Sequence, residues 1–303
     1  MLLNTPHPHA MILQVSHQLR YTYSEPVTLN PHTVYLYPKN YPHQRLIEYR
    51  LQIEPKPSAV VQNLDFEGNI QQVIYFAKSV PTQSLMVSVD TKVLSDDFSA
   101  LDFVIYPFDA AQLPFKYSDR KINHLQPYLV RSGVTTYLEQ YARQIAALAR
   151  WSTVSFLVNL CQTIKRDFLY EIRLEGAPLP PEHTLISKKG SCRDFAVLFM
   201  ACCRSLGIAA RFVSGYMYGD LIQEHELHAW VEVYLPGAGW RGFDPTEGQV
   251  VGSNYIQLAS AADATLVAPM AGAFNGHARS QLTADVWVQN ISQGSSGQSQ
   301  NQQ

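Results

Sequence analysis

Spacing of apolar and polar positions divides the chain into stretches of different character. Between about residues 11 and 95 apolar residues alternate with polar ones, as in Leu13, Val15, His17, Leu19, Tyr21 and Tyr23, then Ile47, Tyr49, Leu51 and Ile53, then Leu85, Val87 and Val89, with proline- and asparagine-rich breaks between. A period of two places every second side chain on one face, so these runs predict half-buried strands, and a series of them predicts an antiparallel β-sandwich over 1–105. Residues 106–130 lose the period and gather aromatics beside prolines (Tyr106-Pro107-Phe108, Leu113-Pro114-Phe115, Gln126-Pro127-Tyr128), which reads as a connector packed along a domain junction. Beyond it the period becomes helical. Thr136-Tyr-Leu-Glu139 reads as a capping box opening a helix with Leu138, Tyr141, Ile145 and Leu148 on one side. Trp151-Ser152-Thr153 breaks into a second helix running to about Tyr170, whose core face carries Val154, Leu157, Val158, Cys161, Ile164 and Phe168. Residues 171–187 read as a proline-rich loop.

Phe195, Leu198, Phe199, Cys202 and Leu206 then recur at helical spacing, with Gly190-Ser191 before them and Gly207 after them as start and stop signals. This predicts a buried amphipathic helix with Cys192 in its first turn. From His228 the chain alternates again, His228, Trp230, Glu232 and Tyr234 on one face and Ala229, Val231, Val233 and Leu235 on the other. Pro236-Gly-Ala-Gly239 turns it, and Trp240-Arg-Gly-Phe-Asp244 closes a hairpin that stops at Pro245. If Leu235 faced Trp240, Asp244 would point away from the histidine face. If Tyr234 faces Trp240, Asp244 lies opposite Trp230 and diagonal to His228, about 7–8 Å away at the backbone, which two side chains can bridge. The two loop glycines make the second parity accessible, and that is the register expected. Leu282, Ala284, Val286 and Val288 predict a last strand within 276–291 that returns to the β-domain, which leaves 131–275 as a second region and a polar Gln/Ser/Gly/Asn tail over 292–303 expected to be disordered.

Composition narrows the picture. A chain of 303 residues predicts about two domains. Its net charge of −2 provides no global basic field to draw in nucleic acid or an anionic membrane. No run of about 18 apolar residues is present, and the first ten residues lack the layout of a signal peptide, so a cytoplasmic protein with reduced thiols is expected. Four cysteines with no C-x-x-C spacing argue against both a disulfide framework and a zinc site.

Candidate chemistry centres on Cys192. Unpaired N–H groups and the positive end of the dipole at a helix start favour a thiolate, the nucleophilic form. Cys202 and Cys161 lie on apolar faces and read as packing residues; Cys203 is one step off such a face. A nucleophilic cysteine needs a base and a group to orient that base, and His228 and Asp244 offer both downstream. Glu224-His225-Glu226-Leu227-His228 superficially suggests a zinc-protease helix, but its histidines are three apart instead of four. Trp230 and Trp240 read as core, and His183 as a solvated histidine.

Gly190-Ser-Cys-Arg-Asp-Phe-Ala196, Cys203-Arg-Ser-Leu-Gly-Ile-Ala-Ala-Arg-Phe-Val-Ser-Gly-Tyr216, His228-Ala-Trp-Val-Glu-Val233 and Gly239-Trp-Arg-Gly-Phe-Asp-Pro-Thr246 together resemble the bacterial transglutaminase-like proteins over about residues 130–270. Tyr21 to Val27 and the turn from Asp65 to Asn69 also resemble the N-terminal β-domain that accompanies that family. Ala210 departs from the proline many relatives carry before the arginine. The resemblance implies an α+β chain, a β-sandwich followed by a papain-like catalytic domain, with Cys192 as nucleophile, His228 as base and Asp244 as orienting carboxylate. It implies thioester chemistry on a peptide or protein amide with no cofactor and no metal. Carboxylates at Asp220, Glu224, Glu226, Glu232 and Asp244 are too scattered for a regulatory calcium site, and no lysine tunnel is legible, so hydrolysis is expected over amine cross-linking. A non-catalytic peptide-binding module is the reading from another class. The β-domain reads as a structural partner before a substrate-docking module, and the sequence leaves the oligomeric state open.

Overall fold

The alternation that begins at Leu13 carries through a strand of 24 residues, β1 (Met11–Val34), long enough to serve two halves of one curled sheet. The computed structural model describes residues 10–77, 80–96, 101–173, 175–219 and 227–292. Leu13, Val15, Leu19, Val27, Leu29 and Val34 all turn inward and are buried. Over its first half β1 pairs antiparallel with β5 (Thr82–Ser95), which in turn pairs with β2 (Gln44–Glu54). Over its second half it pairs with β4 (Ile70–Tyr75), the partner of β3 (Ala59–Leu64). The register with β5 shifts between Thr22 and Val27, around Pro26, which has no N–H to give a ladder. The expected sandwich is therefore realised as a single curled sheet whose two halves share one strand.

The stretch read as a connector contains a helix of its own, α1 (Asp119–Leu129), and the helical period beyond it is realised in α2 (Thr136–Leu148) and α3 (Thr153–Asp167). The cap of α2 is Thr135, one residue before the expected box, its hydroxyl accepting from the Leu138 N–H at 3.2 Å. After β6 (Leu169–Tyr170), the stretch expected to be loop contains a short helix, α4 (Pro181–Ser187), followed by β7 (Lys189–Gly190), which pairs with β6. Proline at the first helical position is pre-set for the turn and sacrifices an N–H that needs no intrahelical partner. α5 (Cys192–Ser205) then runs through the core, packed on β9 and on α2, α3 and α4.

Behind α5 stands a five-stranded sheet of β8 (Ala210–Met217), β9 (His228–Leu235), β10 (Gly239–Asp244), β11 (Gln249–Val250) and β12 (Tyr255–Ala261), in the order β11-β10-β9-β8-β12. Trp240 faces Tyr234 and Phe243 faces Val231, the register that turns Asp244 toward the histidine face. Gly237 and Gly239 take φ of 84° and 76° in the loop, a region open to glycine. Finally the chain returns to the first sheet: β13 (Met270–Asn275) and β14 (Ser280–Asn290) both pair with β1. Residues 270–275, grouped by sequence with the catalytic region, thus sit in the N-terminal sheet. The polar tail from 293 lies outside the described residues, as do Asp220, Glu224, His225 and Glu226. Among the described residues, no helix is long and apolar enough to cross a membrane.

A candidate active site at the junction of helix and sheet

Cys192 opens α5 because the residues around it form a tight cap. Asp194 is fully buried and reaches back, Oδ2 accepting from the Ser191 N–H and from the Ser191 hydroxyl, both at 2.8 Å. Its Oδ1 accepts from the Leu179 N–H at 2.7 Å and from Arg173 Nη2 at 2.5 Å. One carboxylate therefore fastens the first turn of α5 to the segment leading into it. Sequence reasoning passed over Asp194, although the spacing Ser191-x-x-Asp194 is that of a capping box and was there to be read.

His228, at the start of β9, presents its ring toward Cys192. Its Nε2 lies 2.6 Å from Asp244 Oδ2, which leaves Nδ1 as the nitrogen not engaged by Asp244, and the Cys192 side chain is near enough to act on the ring. The Cys192 thiol also lies 4.0 Å from the Leu227 carbonyl oxygen. Asp244 is fully buried with both oxygens occupied: Oδ2 also accepts from the Tyr255 hydroxyl at 2.7 Å, and Oδ1 from the N–H groups of Thr246 at 2.8 Å and Glu247 at 3.2 Å. Opposite His228 on β8 stands Gly215, where an added Cβ would collide with the Trp230 ring and the Ile256 carbonyl. This gap lets Trp230 pack, fully buried, between His228 and Tyr255. Trp240 is instead half-buried, with the Arg211 guanidinium 4.2 Å above its ring. Tyr255 escaped the sequence reading because a tyrosine opening a late strand carries no signal of its partner.

Electrostatics follow from these contacts. Burial alone would lower the pKa of His228, but the Asp244 carboxylate and the Cys192 side chain outweigh it and raise it well above its ordinary value. Burial would raise Asp244, yet the charge and hydrogen bond of His228, with the Tyr255 and Glu247 donors, hold it below the usual carboxylate range. Stability from His228 is thus complete below its ordinary pKa and lost as pH rises through the raised one; that from Asp244 is present above its ordinary pKa and lost as pH falls through the lowered one. Tyr255→Phe removes one donor from Asp244, so its pKa rises and the acid-side loss begins at higher pH. If the site turns over substrate, kcat for this variant falls by about tenfold with KM unchanged, since one hydrogen bond to a charged group is lost outside the cleft. A pH–rate profile checks both, and a profile superimposable on the parent's would refute the role.

Burial pushes the thiols of Cys161, Cys202 and Cys203 up, and unlike Cys192 none of them lines the cleft. Among the described residues no group of three or more His, Cys, Asp or Glu is arranged to hold a metal ion. His183 is exposed on α4.

Cys192 and His228 lie on a cavity of about 530 Å³. The segment before α4 forms one side of it through Arg173, Glu175, Ala177 and Pro178. β1, through His17, Leu19 and Tyr21, and β14, through Ser280, Leu282 and Ala284, line it as well, and the Leu282 N–H donates to Glu175 Oε1 at 3.0 Å. The curled N-terminal sheet thus supplies a wall of the cleft.

Comparison with known proteins agrees with this architecture. Residues 139–245 match the transglutaminase-like superfamily, and residues 13–94 match the bacterial transglutaminase-like N-terminal region. The chain is 30% identical over 280 residues, 86% of each chain, to an uncharacterized protein of Mycobacterium tuberculosis. Over 68 residues, 20% of this chain and 10% of the other, it is 35% identical to the protein-glutamine gamma-glutamyltransferase of Pseudomonas aeruginosa. The crystal structure of a candidate cysteine protease from Cytophaga hutchinsonii shares the fold, with a TM-score of 0.71 at 19% identity over 93% of this chain and 91% of that one. The chain belongs to the transglutaminase-like superfamily and carries the bacterial transglutaminase-like N-terminal region.

Proposed function

We propose that this protein is a thiol-dependent acyl-transfer enzyme acting on a peptide or protein amide, with water as its ordinary acceptor. The observation that carries the reading is the buried line Cys192, His228, Asp244, brought together from a helix start and two strands at the edge of a cleft. In this mechanism the Cys192 sulfur attacks the amide carbon, and the Cys192 backbone N–H, at the start of α5, supports the oxyanion. The His228 imidazolium gives its proton to the leaving amine as the C–N bond breaks, leaving a thioester. Water then attacks the thioester carbon while His228 takes a proton from it. The thiolate departs, and a carboxylic acid is released. Asp244 holds the ring through Nε2 so that Nδ1 keeps facing sulfur. No step calls for a metal or a cofactor.

The second reading, transfer to an amine, is favoured by the match to the Pseudomonas aeruginosa glutamyltransferase. It requires an amine to compete with water at about 55 M, and so a dedicated dry site for the amine. Incubation with a glutamine-containing peptide and excess primary amine, with and without a chelator, separates the two by mass. We expect the free acid as the dominant product, unchanged by the chelator; a dominant amine adduct formed with loss of ammonia would reverse the choice.

A further inference from the structure

The cleft is lined by residues of both sheets, among them the apolar Leu19 from β1, Phe212 from β8 and Leu282 and Ala284 from β14. Two of its polar lining residues outside the Cys192–His228 centre are almost wholly buried. Ser214, on β8, is 3% exposed and its hydroxyl has no hydrogen-bond partner among the described residues. His17, on β1, is 1% exposed, with Nδ1 2.9 Å from the Tyr216 hydroxyl.

Tyr216 is itself fully buried, and a buried phenol proton needs an acceptor. His17 is the partner in reach, so the phenol donates to Nδ1 and the imidazole proton sits on Nε2, the nitrogen left for the cavity that the ring lines. Burial also drives the His17 pKa down to about 4, so the ring is a neutral donor near neutral pH. The charged residues of the rim are otherwise engaged: Arg173 with Asp194, Glu175 with the Leu282 N–H, and Arg193 with the backbone carbonyls of Arg173 and Glu175. A charge placed beside His17 and Ser214 would be desolvated without a counter-charge, whereas a neutral oxygen could accept from His17 Nε2–H and pair the Ser214 hydroxyl, which lacks a partner among the described residues.

We propose that His17 and Ser214 form a specificity subsite, built jointly by the N-terminal sheet and the catalytic sheet, that receives an uncharged substrate side chain ending in a hydrogen-bonding oxygen, a hydroxyl or a carboxamide. This rests on the acyl-transfer reading for the word substrate, but the recognition is a binding property. The test therefore uses the full chain carrying Cys192→Ala, which holds ligand without turning it over. Acetylated tripeptide amides varied at one position are titrated in matched pairs, tyrosine against phenylalanine and glutamine against methionine, with lysine and glutamate as charged members. The oxygen-bearing member of each pair is expected to bind about tenfold tighter than its apolar match, and the charged members weakest.

Adding Ser214→Ala or His17→Leu should shrink that advantage to about twofold or less, with the apolar peptides bound as before. His17→Gln, which restores a neutral donor, should keep most of it. Should His17→Leu fail to fold, Ser214→Ala and His17→Gln decide the matter. Equal binding within each pair, or a preference that survives Ser214→Ala and His17→Leu, overturns the subsite. Because no turnover is measured, loss of the acyl-transfer reading would leave this result standing, and the reverse holds too.

Discussion

On the proposed mechanism, Cys192→Ala and His228→Ala are each expected to abolish turnover of a peptide amide, by about 10⁶ in kcat, whereas Asp244→Asn should retain a measurable residue, losing about 10⁴. That mechanism needs the Cys192 sulfur to form the thioester, so its removal closes the chemical route. It needs His228 as the proton partner of the leaving amine and of the attacking water. Asp244 acts only through the ring, at 2.6 Å from Nε2, and an amide there still packs and still meets the Tyr255 hydroxyl. Its loss misorients the imidazole and weakens the imidazolium, which slows the reaction and leaves the route open. Product release by mass, with circular dichroism to establish folding, measures all three. Full turnover by Cys192→Ala on any substrate would sink the mechanism.

Asp194→Ala is expected to be the most destabilising single change near the site. Four hydrogen bonds converge on its carboxylate, from Ser191 twice, Leu179 and Arg173, and none of its surface is exposed. Truncation strands a guanidinium and two N–H groups at once, and breaking a buried pair by removing one partner costs about 3–5 kcal/mol. Against a total stability of about 5–15 kcal/mol that is a large fraction. It also removes the ties of Arg173 and Leu179 to the first turn of α5, leaving those that Arg193 makes to the carbonyls of Arg173 and Glu175, so any activity falls with it. Asp194→Asn keeps the volume but turns an amide toward groups that need acceptors, and should lie between parent and alanine. Thermal melts decide this: an alanine variant unfolding within a degree of the parent would show that Asp194 holds nothing.

What the sequence revealed follows from which forces are local. α5 and the β9–β10 hairpin were legible because their apolar spacing is strong; the parity that aims Asp244 at His228 was only permitted by the two loop glycines, and its choice rests in part on the chemistry, which requires the carboxylate on the histidine face. Thr135 rather than Thr136 caps α2 because either threonine can fill the role, and only the chain's path decides. α4 was hidden because Pro180-Pro181 reads as a breaker, although proline at a helix start is a favoured first residue. β13, Met-Ala-Gly-Ala-Phe-Asn, is too short and small-sided for a pattern, and it forms because β1 offers it a ladder. Tyr255 on Asp244 and His17 on Tyr216 are long-range contacts that no window of sequence contains.

The pairing of β14 with β1 has a consequence for how the molecule comes into being. Tyr21 and Leu282 face each other across that ladder, and both line the cleft. On the ribosome, Cys192, His228 and Asp244 are all synthesised before Leu282, so a nascent chain can gather the three while its cleft still lacks a wall. Only with the strand ending at Asn290 does β1 gain the neighbour on its other edge and the cleft its last side. Enclosure of the Cys192 thiol thereby waits on a strand that follows all three residues in the chain, and a chain lacking β14 would carry Cys192 in an open trough.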